Sequence, residues 1–180
     1  MNNSNSRKIA QTAILLAICV VSQFFKNLSV FITGPIINLC IIICVLLVGL
    51  RWGALICVIS PITSFIITGS PIMAAIPAII PAVIVGNIVM AGGVALGVKM
   101  IKGKFGLPLS LVIGSILKAI FMGIVISLIL VPLCLPEAMH KQMPVIQSTF
   151  SVVQLITALI GSVLAYIIYF PLRKAIGNNK

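Results

Sequence analysis

The chain has no Asp and a single Glu, Glu137, set against 12 Lys and Arg in 180 residues of which 61% are hydrophobic. So little polar surface cannot cover a water-soluble core, because a folded domain still has to present its outside to water. The composition therefore requires a solvent other than water, and it reads as a polytopic membrane protein.

A spanning helix needs about 20 apolar residues. The chain has room for roughly six such helices and little else, so residues 1–180 are expected to form a single all-α integral membrane domain. The runs place the helices at about 7–25, 35–50, 52–68, 71–100, 107–131 and 146–169. The segment behind Arg7 and Lys8 has the outline of a signal peptide. No small-residue cleavage site precedes Ser22-Gln-Phe-Phe-Lys26, so it reads as a retained first helix.

The net charge of +11 is distributed in a pattern. Arg7 and Lys8, then Arg51, then Lys99, Lys102 and Lys104, then Arg173, Lys174 and Lys180 mark alternate connections and both ends. The intervening connections carry only Lys26, then no charge, then Glu137 with Lys141 and His140. Positive residues hold connections on the cytoplasmic side, so both termini are expected there, in the plasma membrane. Trp52, Tyr166 and Tyr169 fall near the same helix ends, where amphipathic rings prefer to sit. A nucleic-acid surface would instead show a solvated basic stripe among aromatics, and none is present.

The scarcity of acids also bears on mechanism. Ion-coupled carriers keep intramembrane carboxylates for protons or cations, and this chain has none in any predicted helix. Four of the five cysteines, Cys19, Cys40, Cys44 and Cys57, lie in apolar runs without a nearby His, which fits buried packing rather than a metal site. No cofactor is expected. His140 and Glu137 share a loop and make a poor catalytic pair, so enzymatic activity is not expected either.

Lys118 is the sharpest single feature. It lies about 16 Å along the fifth predicted helix, too deep for easy snorkelling. A lysine at mid-bilayer costs about 2.5–3.5 kcal/mol on insertion scales and normally faces the bundle interior. Two roles fit it: binding an anionic ligand group, or capping carbonyls freed by Pro61 or Pro81. Asn87 and Gln154 join it as candidates, because a primary amide facing lipid is expensive. Asn38, Ser64 and Thr68 complete the expected substrate-binding set on helices two and three.

Pro61, Pro71, Pro77 and Pro81 remove backbone donors in close succession. Either broken helices facing a cavity or simple kinks account for them. Phe24, Phe25 and Phe31, in the connection after helix one, fit a lid over a site or interfacial anchors.

Helix one opens Arg7-Lys-Ile-Ala-Gln-Thr-Ala13-Ile-Leu-Leu-Ala17. Its Ala13-x-x-x-Ala17 spacing, extended by Ala10, permits close approach of another helix. With this opening, its length, six helices and cytoplasmic termini, the chain resembles the substrate-binding (S) components of energy-coupling factor (ECF) vitamin importers. The resemblance implies a ligand site in the outer half of the bundle, drawn mainly from helices four to six and the loop after helix one. It also implies that Ala10, Ala13 and Ala17 face a transmembrane coupling subunit, with two ATPase subunits completing the module. The absence of a Gly-x-x-x-x-Gly-Lys-Ser/Thr loop agrees with ATP hydrolysis on a partner. The expected substrate is a small, vitamin-like, anionic molecule. The alternative is a self-sufficient small membrane channel or carrier.

Overall fold

The computed structural model describes residues 3–26 and 29–177, and these are helical nearly throughout. Among the described residues there is no strand. Lys180 lies outside them, as do Asn27 and Leu28 of the connection after helix one. The helices are α1 (Asn3–Gln23), α2 (Val30–Leu47), α3 (Leu50–Thr68), α4 (Pro71–Ala75), α5 (Ile79–Met100), α6 (Gly106–Met122), α7 (Val131–Cys134), α8 (Met143–Phe150) and α9 (Val152–Gly177). A π-helical stretch, Gly123–Leu130, joins α6 to α7, and a 3₁₀ turn, Glu137–Gln142, precedes α8. Five stretches are long and apolar enough to cross a membrane: α2, α3, α5, Gly106–Cys134 and Glu137–Ile176. Helix α1, which opens with the polar run Asn3-Ser-Asn-Ser-Arg-Lys8, is not among them.

Helix α2 is the axis of the bundle. Residues Cys40 to Val45 are all buried, on every side of the helix, which is the mark of a segment enclosed by neighbours. It packs against α1, α3, α5 and α9. Its start is set by Ser29, whose hydroxyl accepts the Phe31 N–H at 3.1 Å. Gly49, at φ 120°, turns the chain into α3, and Gly69, in the left-handed region, ends α3 with its N–H on the Phe65 carbonyl.

The two most extensively packed helix pairs are α5 with α6 and α2 with α9. Glycine makes both possible. A Cβ on Gly93 would stand 3.2 Å from the Gly114 Cα, and one on Gly161 would stand 2.7 Å from Asn38 Cβ and 2.8 Å from the Pro35 carbonyl oxygen. Lipid offers no hydrophobic drive for helix association, so such close backbone packing carries much of it. Gly161→Ala is therefore expected to cost about 1–3 kcal/mol by overpacking, since one obstacle is backbone and cannot rotate away. A melt in detergent should show the midpoint falling by roughly 3 °C or more.

The prolines resolve into different roles. Pro71 and Pro81 sit in the first turns of α4 and α5, where the missing donor costs little. Pro61 lies inside α3, which continues through it. Pro77 lies in the gap that divides the expected helix 71–100 into α4 and α5. The expected helix 146–169 is likewise divided, at Ser151 (φ −119°, ψ −85°), and α9 runs on to Gly177. Helix α2 begins at Val30 rather than near Pro35, so the connection after α1 is shorter than the sequence suggested.

The Arg7 guanidinium donates to the Ile176 carbonyl, which fixes the start of α1 beside the end of α9. Lys8 and Asn5 line a groove with Arg51 and Trp52 of the α2–α3 connection. The two ends of the chain and the first basic connection thus share one end of the bundle. The other end carries the α1–α2, α3–α5 and α7–α8 connections.

Candidate functional site

A cavity of about 260 Å³ opens toward that second end. Its walls come from α2, α3, α4, α5, α6, α8 and α9, together with Lys26 from the α1–α2 connection. Ile37, Ile72, Met73, Val83, Ile146 and Phe150 supply an apolar lining. Ligand cavities of this kind are typically apolar with a few placed polar groups.

Lys118 projects from the middle of the apolar stretch Gly106–Cys134 into the cavity and is only 3% exposed. Its Nζ donates to Asn38 Oδ1 on α2 at 2.7 Å. That partner is a neutral amide, not a carbonyl freed at Pro61 or Pro81. The ammonium has three donors, and Asn38 takes one. Gly114 and Ser115, one turn earlier on α6, are occupied with packing: Gly114 against α5, and Ser115 through a 2.9 Å hydroxyl contact with Ser162 of α9.

A second lysine faces the same space. Lys26 Nζ donates to Ser64 Oγ at 2.7 Å, linking the α1–α2 connection to α3 at the cavity wall. Burial pushes its ammonium below the usual lysine range, because desolvation penalises the charged form. An anion beside it would oppose that penalty. The only side-chain carboxylate, Glu137, is exposed and outside the cavity. The site thus holds two ammoniums and no side-chain acid to balance them.

Asn87, on α5, is 2% exposed and lines the cavity, and its Oδ1 is buried without a hydrogen-bond partner. An orphaned buried acceptor costs about 1–3 kcal/mol, so it calls for a donor. Gln154, partly buried on α9, also lines the cavity.

Lys118, Asn87, Gln154, Asn38 and Ser64 therefore meet around one cavity. Thr68 does not: it is not among the lining residues, and its hydroxyl donates to the Ser64 carbonyl on its own helix at 2.7 Å. Short hydroxyl side chains in helices commonly bond backwards in this way. Phe24, Phe25 and Phe31 are all at least about half exposed and none lines the cavity.

Sequence reasoning assigned Lys26 to topology and did not place it in the site. A signal was available, since it is a lone lysine on the charge-poor side. The contributions of Met73 and Phe150 depend on the breaks at Pro77 and Ser151 and had no comparable signal.

On α1, Ala10, Ala13 and Ala17 all lie on the exposed face, beside Ile14, Ile18 and Val21, which are also exposed. Thr12, Cys19 and Gln23 face the bundle, and the Gln23 amide donates to the Ser60 carbonyl of α3 at 3.0 Å.

The model of a protein family described as "ECF transporter, substrate-specific component" matches residues 7–173. No curated relative and no solved structure matches the chain. The match covers nearly the whole sequence, and the chain belongs to this family. It is a membrane protein that serves transport as a substrate-specificity subunit, not an enzyme.

Proposed function

We propose that this substrate-specific component captures a small anionic, vitamin-like molecule in the cavity around Lys118. The observation that carries the reading is the Lys118 ammonium, almost wholly buried against a neutral amide with no acid in reach. A bound anion would complete its coordination in a low-dielectric site, where charge-assisted bonds are strongest. Asn87 Oδ1 would accept an N–H or O–H from the same molecule. The apolar walls would hold the molecule's body.

In this reading α1 is a sixth spanning helix, completing an even number and putting both termini on the same side. The basic residues at the shared end of the bundle support a cytoplasmic location for that side, in the plasma membrane. The cavity then opens outward. Delivery would depend on an ECF module, with a transmembrane coupling subunit seated on the Ala10, Ala13 and Ala17 face of α1 and two ATPase subunits below it.

The direct test is mass spectrometry of small molecules released from the detergent-purified chain, expressed without partners in rich medium. One vitamin-like compound per chain, carrying an acidic group, is the expected result. A folded protein that yields none, and binds no anion added back, would defeat the proposal.

A further inference from the structure

We propose that the cavity takes a dianion whose two acidic groups stand at opposite ends of a largely apolar body, one on Lys118 and the other on Lys26. The inference rests on the capture reading above and adds the number and placement of the charges.

The two ammoniums are held by different helices of the cavity wall, Lys118 by Asn38 of α2 and Lys26 by Ser64 of α3. Helix α2 lines the cavity from Val30 to Asn38, a rise of about 12 Å at 1.5 Å per residue. Lys26 lies just before Val30, at the open end. Lys118 is bonded to Asn38, at the closed end. The surface between them is mainly apolar, with Ile37, Val83 and Met73 facing the space.

Each ammonium spends one donor on a neutral group, Asn38 or Ser64, and neither meets a carboxylate. One acidic group for each ammonium fits a wall of that length. A monoanion seated on Lys118 leaves the second, partly buried charge uncompensated, whereas a dianion answers both.

Lys26 also lies where topology alone disfavours it. Positive residues are depleted on the side opposite the basic connections, and this lysine turns into the cavity instead of remaining free in solvent. A partly desolvated cation on that side gains from a compensating partner, and a ligand acid supplies one.

The test compares octanedioate with octanoate as calorimetric probes of the purified full chain, and counts acidic groups on any molecule released from it. The wild-type protein is expected to prefer octanedioate by about 10-fold or more, the scale of one charge-assisted contact. Lys26→Gln should reduce that preference to about twofold while octanoate binding persists, and a released molecule should carry two acidic groups. Equal affinities for the two probes, an unchanged preference in Lys26→Gln, or a released molecule with one acidic group would each overturn the inference and leave the capture reading standing. A protein that releases nothing and binds neither probe would overturn both.

Discussion

Replacing Lys118 with methionine is expected to weaken ligand binding by at least about 100-fold while the protein still inserts and folds. The factor follows from truncating a buried, hydrogen-bonded charge opposite an anion, which costs on the order of 3 kcal/mol. The unliganded protein has less to lose. Its lysine makes one hydrogen bond, to Asn38, and a buried ammonium is itself costly in a bilayer. Methionine is unbranched and fills the vacated channel without strain. Calorimetry with the identified ligand, alongside size-exclusion profiles in detergent, separates the two possible roles. Unchanged affinity in a well-folded variant, or a variant that aggregates, would return Lys118 to the structural role.

Placing tryptophan at Ala13 or Ala17 is expected to abolish assembly with the coupling subunit and leave ligand affinity within about twofold. Both alanines are exposed, on the face of α1 turned away from the bundle and the cavity. A tryptophan there meets nothing within the chain. It would hold a partner helix away from the separation that small residues allow, and transmembrane association depends on that close packing. Co-purification from cells expressing the whole module reads the first effect, and calorimetry on the isolated subunit reads the second. Assembly that survived both substitutions would remove α1 from the interface. Loss of ligand binding would show instead that the helix supports the cavity, through Gln23 and its bond to Ser60.

The contrast between Lys118 and Lys26 shows how far a sequence carries such a site. Lys118 is legible because its environment is written around it: apolar residues on both sides, no acid in any predicted helix, and a depth that prevents snorkelling. Lys26 looks like any residue near a helix end, and its role depends on which way the connection folds. Thr68 fails in the opposite direction. Its type and position suit a site, but its hydroxyl turns to its own backbone, a local choice that spacing does not reveal. Asn38 and Ser64 line the cavity in another capacity, as the groups that hold the two ammoniums.

The sequence by itself determined the solvent, the helical class and the presence of one costly interior charge. Those properties follow from transfer free energies summed along single segments, and each segment carries its own sum. Only the tertiary structure decided that Lys26 and Lys118 share a cavity, that α4 and α8 fold over it, and that the chain breaks at Pro77 and Ser151 but not at Pro61. Such features depend on the azimuth and approach of helices distant in sequence, as where Gly161 meets Asn38 and Gly93 meets Gly114. Contacts of that kind arise between pairs of segments, so no single segment's pattern contains them.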